Sequence, residues 1–129
     1  MSEPIVIIAR QKVKEGKFNG YKQNFQDVVN FVKPNKPNTV VFLNYATEDD
    51  TDATLIQVYP NADAMEQHVQ GLGEIARKSY EFMDILSFEI YGNPTDTTLT
   101  TMKNLAATGV SVIISPRFNG GYIRPQSAE

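Results

Sequence analysis

An α+β fold with the element order β-α-β-β-α-β is predicted by three features of this 129-residue chain. Four apolar segments have the length and the β-branched or aromatic composition of strands. Two segments between them repeat apolar residues at helical spacing. Turn-forming residues separate the six segments. This order predicts the ferredoxin-like arrangement, in which two helices pack on one face of an antiparallel sheet.

The predicted strands are short apolar runs, and the first two are apolar at both alternating positions. The four strands are Ile5–Ala9, Val40–Tyr45, Leu55–Tyr59 and Ile85–Tyr91. A sheet face that meets water should carry polar residues at every second position. Because residues 5–8 and 40–43 do not, we expect a second surface to cover that face. The sequence therefore predicts a homodimer, in which two sheets pack face to face and enclose an interior.

The two predicted helices are amphipathic. The first carries apolar residues from Phe18 to Val32 and should end at Lys33-Pro34, because proline disfavours helical geometry in the residue before it. Asn61 can cap the second helix. The apolar stripe of this second helix consists of Met65, His68, Val69 and Leu72. Gly71 and Gly73 interrupt it before a further helical stretch.

Residues 95–129 form an extension beyond a core domain predicted at residues 1–94. A short helix is expected from Leu99 to Ala106, closed by Gly109, and a strand from Val110 to Ile114. Asn119-Gly120-Gly121 is a turn signal that allows a second hairpin as an alternative. The extension is too hydrophobic for a free linker. We expect it to pack on its own core, on the partner subunit or over the mouth of a pocket.

Composition excludes several classes of function. The net charge is −3 and the basic residues are scattered, so no stripe for nucleic acid is present. The absence of cysteine excludes disulfides and thiolate metal ligands, and a single histidine argues against a metal site. No segment has the features of a signal peptide or the length of a membrane span. We therefore expect a cytoplasmic protein without a metal or another cofactor.

Three segments resemble the antibiotic biosynthesis monooxygenase (ABM) domain, over roughly residues 4–94. They are the strand Ile5–Arg10, the turn Val13–Lys17 and the stretch Val58–His68. The resemblance implies a dimeric α+β barrel. ABM proteins include cofactor-independent monooxygenases of phenols and quinols, and relatives that degrade haem. Some catalytic members place a tryptophan in the pocket, and this chain has none, which disfavours haem degradation.

His68 and Asn44 are the first candidate functional residues. A neutral imidazole at His68 could take a proton from a phenol or orient an enolate. The alternative is a core histidine with satisfied ring nitrogens. Asn44 interrupts an apolar strand, so its amide either binds a substrate carbonyl or oxyanion or marks the point where the strand reaches solvent.

Four further polar residues share an odd-numbered position in their strands: Gln57, Tyr59, Glu89 and Tyr91. Their convergence would form a ligand pocket, with Tyr59 as a hydrogen-bond partner of the substrate. The alternative is that these positions are wet at the strand ends. The predicted function is a cofactor-independent monooxygenase of a small aromatic, quinol or polyketide-like compound. The alternative function is a non-catalytic dimeric barrel that binds a small ligand or serves as an interaction module.

Overall fold

A single five-stranded sheet is the centre of the fold in the computed structural model, which describes residues 3–106 and 109–124, without the side chains of residues 105 and 106. The strands are β1 (Ile5–Val13), β2 (Val41–Ala46), β3 (Asp52–Tyr59), β4 (Met83–Tyr91) and β5 (Ser111–Ser115). Their order in the sheet is β2-β3-β1-β4-β5, and the sheet is open. The first four strands pair antiparallel, whereas β5 is parallel to β4.

Within the described residues, four helices accompany the sheet: α1 (Phe18–Asn35), α2 (Ala62–Val69), α3 (Gly73–Ser79) and α4 (Asp96–Ala106). The predicted α+β class and the ferredoxin-like order of the first six elements are confirmed. α1 runs to Asn35, one residue beyond the predicted end at Lys33-Pro34, so Pro34 lies inside its last turn. A proline there removes only one hydrogen bond of the helix. Asn61 caps α2, since its Oδ1 accepts a hydrogen bond from the Ala64 amide at 2.8 Å.

The core lies between the helices and one face of the sheet, called here the inner face. Alternate residues of β1 point to this face and are buried, as are Tyr59 and Ile90 on the neighbouring strands. Met65 on α2 is fully buried against them. The side-chain period of two along each strand therefore decides which residues reach the helices.

The other face of the sheet, called here the open face, is covered by none of the described helices. It carries a continuous apolar surface of Val6, Ile8, Val41, Leu43, Ile56 and Val58. Nearby, Tyr45 is 63% exposed and Ile113 is 56% exposed. The first half of β1 and most of β2 are thus apolar on both faces, as the sequence predicts, and one of these faces is covered by none of the described helices.

The C-terminal extension packs on the same sheet. Thr95 at the start of α4 donates a hydrogen bond from Oγ1 to Glu66 Oε1 of α2 at 2.6 Å. Thr98 and Met102 of α4 are buried. After α4, the chain adds β5 beside β4. The hairpin alternative is wrong for the described residues, because 116–124 contain no strand. In the part of the chain that the structure describes, no helix has both the length and the apolar character of a membrane span.

Candidate functional site

A cavity of about 380 Å³ lies between the inner face of the sheet and the helices α1, α2 and α3. Most of its wall is apolar, and aromatic rings are prominent among the lining side chains. Phe25 of α1 and Phe42 of β2 stack with their ring centroids 5.4 Å apart. Leu55, Val69 and Phe88 complete much of the apolar wall. A cavity of this volume falls within the range of about 300–1,000 Å³ that is typical of small-molecule sites.

His68 lies at the wall of this cavity, on the face of α2 that packs towards the sheet. Its side chain is buried, with 4% of the residue exposed. The ring contacts Tyr59 edge-on, with centroids 5.2 Å apart, and Phe42 at 5.6 Å. Burial, with a smaller contribution from the charge of Lys36, lowers the pKa of His68 to about 4. The imidazole is therefore neutral at physiological pH.

The connector between α1 and β2, residues 36–40, holds His68 from the other side. Thr39 Oγ1 lies 2.7 Å from His68 Nδ1. Lys36 Nζ donates hydrogen bonds to two carbonyl oxygens at the end of α2, those of Gln67 at 2.8 Å and Gln70 at 2.7 Å. A cation at the C-terminal end of a helix stabilises the free carbonyl groups there. His68 also lines a smaller cavity of about 230 Å³ beneath this connector.

Gln57 and Tyr59 form a buried polar pair on β3, next to His68. The Tyr59 hydroxyl donates a hydrogen bond to Gln57 Oε1. Tyr59 is fully buried, and burial raises the pKa of its phenol far above the usual value. Gln57 lines the cavity, and its amide nitrogen donates to none of the described residues. That nitrogen is therefore available to a ligand in the cavity.

A second polar group lies at the α1 side of the cavity. Asn44 Nδ2 donates to the Tyr21 hydroxyl at 2.7 Å, and this hydroxyl donates to Gln11 Oε1. Asn24 Nδ2 donates to Ser79 Oγ at 2.8 Å. Gln11, Tyr21 and Asn24 line the cavity, whereas Asn44 lines a separate surface groove between α1 and the edge strand β2. Asn44 therefore reaches the cavity only through Tyr21.

Glu89 and Tyr91 lie on the open face, and the predicted convergence of these residues with Gln57 and Tyr59 is wrong. Glu89 pairs with Ile8 of β1 in the sheet register, and Tyr91 pairs with Val6. In this part of β4 the inner positions are Phe88 and Ile90, because they pair with Ala9 and Ile7 of β1. Glu89 forms an ion pair with Arg10 and accepts a hydrogen bond from the Tyr91 hydroxyl at 2.8 Å. Hydrogen bonding from Arg10 lowers the pKa of Glu89.

Three residues near the cavity are not among those predicted from the sequence. Gln11 occupies a position of β1 that is otherwise apolar, and Asn24 lies three residues after Tyr21 on the apolar side of α1. A polar residue at an apolar position was the available signal in both cases. Thr39 lies in a turn-rich connector, and the sequence carries no signal for it. Within the described residues, no group of three or more histidine, aspartate or glutamate side chains could hold a metal ion.

Solved structures share this fold at low sequence identity. MupZ from Pseudomonas fluorescens has a TM-score of 0.68 at 12% identity, over 99% of this chain and 100% of MupZ. SnoaB, a cofactor-independent oxygenase from Streptomyces nogalater, has a TM-score of 0.61 at 15% identity, over 73% of this chain and 96% of SnoaB. A candidate antibiotic biosynthesis monooxygenase from Caulobacter crescentus CB15 has a TM-score of 0.61 at 19% identity, over 69% of this chain and 88% of that chain.

The fold of this chain is therefore that of the ABM-like proteins, and the resemblance seen in the sequence is confirmed at the level of the fold. The likeness to MupZ includes the C-terminal extension, since it covers nearly the whole chain. The sequence itself matches no model of a known family and no curated protein.

Proposed function

We propose that the chain is a cofactor-independent monooxygenase that oxidises a small aromatic, quinol or polyketide-like compound in the cavity between the sheet and the helices. The observation that carries the proposal is an aromatic-lined cavity of about 380 Å³ that a few polar side chains enter. Planar aromatic molecules suit walls of stacked rings such as Phe25 and Phe42. The likeness to SnoaB supports the same class of chemistry by analogy of fold.

In this chemistry the ionised substrate supplies the electrons to dioxygen. For a substrate with an activated CH₂ group, the carbon loses two hydrogens and gains one oxygen atom as a carbonyl. The second oxygen atom leaves as water. The protein has to bind the substrate, favour its anion and exclude water. Gln57 offers a free amide N–H within the cavity, and such donors favour an anion over its neutral form.

A measurement of oxygen uptake tests the proposal, with naphthols, anthrones and hydroquinones as substrates and with a chelator present. We expect uptake that the chelator does not change, and one atom of labelled dioxygen in the product. Gln57→Leu should lower the rate by about 10- to 100-fold, because it removes one donor to the anion. Uptake that stops with the chelator and returns with added metal would contradict the mechanism.

A variant that fills the cavity, compared with a matched control, tests whether the reaction occurs there. Ala76 of α3 lines the cavity, whereas Lys78 on the same helix is exposed and does not. Ala76→Phe should abolish uptake, and Lys78→Phe should leave it unchanged, because only the first ring enters the cavity. Equal activity in both variants would show that the reaction occurs elsewhere.

The competing proposal is a non-catalytic barrel that binds a small ligand. Two observations favour it, because both leave the cavity without a strong base for the substrate proton. The pKa of His68 is lowered to about 4, and no carboxylate is among the described residues that line the cavity. Saturable binding of naphthols without oxygen uptake across the panel would select this function. The Ala76→Phe variant should then lose binding, and Lys78→Phe should retain it.

We also propose that the protein is a homodimer joined through the open face. The face is apolar across three strands, and soluble proteins seldom leave such a surface exposed. Ile56 lies near its centre, beside Ile8 and Leu43. Light scattering should give twice the chain mass of 14.4 kDa. Ile56→Lys should give a folded monomer or a much weaker dimer, and a wild-type protein that is monomeric at micromolar concentration would refute the proposal.

A further inference from the structure

The hydrogen bond between Thr39 and His68 decides which ring nitrogen carries the proton. A neutral imidazole has one N–H donor and one acceptor nitrogen. If the Thr39 hydroxyl donates to Nδ1, the proton of the ring is on Nε2. If the hydroxyl accepts from Nδ1, the bare lone pair is on Nε2 and the ring can act as a base. The two cases give opposite chemistry in the cavity.

The surroundings of Thr39 favour donation from its hydroxyl. Oγ1 lies 2.7 Å from His68 Nδ1 and has no other acceptor among the described residues. A half-buried hydroxyl that accepted from Nδ1 would leave its own hydrogen without a partner in the protein, which is costly. Backbone bonds hold the residue in place, because Thr39 N donates to Lys36 O at 3.0 Å and Val40 N donates to Val58 O at 3.0 Å.

The other ring nitrogen, Nε2, bonds to none of the described residues. His68 lines both the larger and the smaller cavity, whereas Thr39 lines only the smaller one. Because Nδ1 faces Thr39, we infer that Nε2, on the other side of the ring, faces the larger cavity.

Among the described residues, Lys36 of the connector acts on the charge of the His68 ring and Tyr59 of β3 contacts it. Lys36 disfavours a positive ring, and Tyr59 stays neutral because its pKa is raised by burial. Arg77 of α3 is the one cation among the described residues that line the cavity, and it also disfavours a positive ring. None of these groups would draw the ring into the charged form.

We propose that Thr39 is a positioning residue that fixes His68 as the Nε2–H tautomer, so that the ring donates a hydrogen bond to an oxyanion or carbonyl oxygen in the cavity. The identity of that acceptor rests on the proposed function. His68 then acts as a donor beside Gln57 and does not remove the substrate proton; the substrate gives that proton to bulk water and binds as the anion. This arrangement is consistent with a ring whose pKa is far below that of a phenol.

The single histidine makes a direct test practical, because ¹⁵N-labelled histidine gives the signals of one ring in the full chain. Long-range ¹H–¹⁵N correlation at pH 7 should show a protonated Nε2 and an unprotonated Nδ1. Thr39→Ser should preserve this pattern. Thr39→Val should convert it into a mixture of tautomers, and Thr100→Val, at an exposed position of α4, is the matched control.

A protonated Nδ1 in the wild-type protein overturns the proposal whether or not any variant folds. An unchanged spectrum in folded Thr39→Val also overturns it. In the oxygenase assay, Thr39→Val should lower kcat by about two- to tenfold, with Thr39→Ser near wild type. The Nε2–H tautomer without turnover would leave this inference standing and contradict the oxygenase. Turnover with the opposite tautomer would contradict this inference alone.

Discussion

The buried histidine should make folding stability depend on pH in a window where few other groups titrate. His68 has a folded-state pKa of about 4 and an ordinary unfolded value of 6.5. Between these values the unfolded chain binds more protons than the folded chain, so stability rises with pH. The contribution is complete above about pH 6.5 and is lost as the pH falls towards about 4.

The size of the effect follows from the two pKa values. From pH 7 to pH 5 the free energy of unfolding should fall by about 2 kcal/mol from His68 alone. The chain has no second histidine and no cysteine. The lowered pKa values of Asp49 and Glu89 place the titration of these carboxylates below the window. The pH dependence between 5 and 7 therefore belongs mainly to one ring.

Urea unfolding at one protein concentration, at pH 7 and pH 5, measures this difference. His68→Phe keeps a ring against Tyr59 and removes the titrating nitrogens, so it should abolish most of the pH dependence. Lys36→Met should raise the NMR-monitored pKa of His68, because it removes the cation that helps to lower it. Equal wild-type stability at both pH values would refute the reasoning, and so would an undiminished fall in His68→Phe.

Three other outcomes are expected. Removing residues 95–129 should lower Tm by about 10 °C and allow a hydrophobic dye to bind, because Thr98 and Met102 leave the core; an unchanged melting curve and no dye binding would contradict this. Tyr59→Phe should cost about 1–3 kcal/mol in urea unfolding, since Gln57 Oε1 loses its donor; an unchanged midpoint would contradict this. Asn44→Ala should reduce turnover less than Gln57→Leu, since Asn44 lies outside the cavity, and the reverse order would contradict the site.

The fold was predictable because its determinants are local and periodic. The stripe of α2 and the apolar runs of β1 and β2 identify their elements without any knowledge of their partners. The place of β5 was harder to predict. A strand after Gly109 can form a hairpin or cross over to a parallel position, and the choice depends on how α4 packs against α2. That packing is a long-range contact with no signal in the local sequence.

The site was predictable only in part, for a related reason. Tyr59 and His68 belong to adjacent elements. The alternation along β3 and the helical spacing along α2 both place them on the faces that pack in the core. The sequence does not predict the face on which Glu89 lies. An odd-numbered residue can face the helices in one strand and face away from them in another, and only the register of the two strands decides which. Thr39 contacts His68 from 29 residues away in the chain. A contact of that kind follows from the docking of the connector, which no spacing rule describes.

The two faces of the sheet differ in role: the inner face lines the cavity, and the open face is the surface proposed for dimer formation. The sequence prediction of an interior enclosed between two sheets assigns both roles to one face. Gln57 and Glu89 lie on strands that flank β1, yet the first faces the cavity and the second faces away from the helices. If two sheets pack together, Glu89 enters the interface with its Arg10 partner, while the cavity stays within each chain. Substitutions such as Ile56→Lys should then act on assembly, and substitutions at Gln57 or Thr39 on the ligand. If the Ile56→Lys protein is a monomer and retains both the His68 tautomer and ligand binding, each chain holds a complete site.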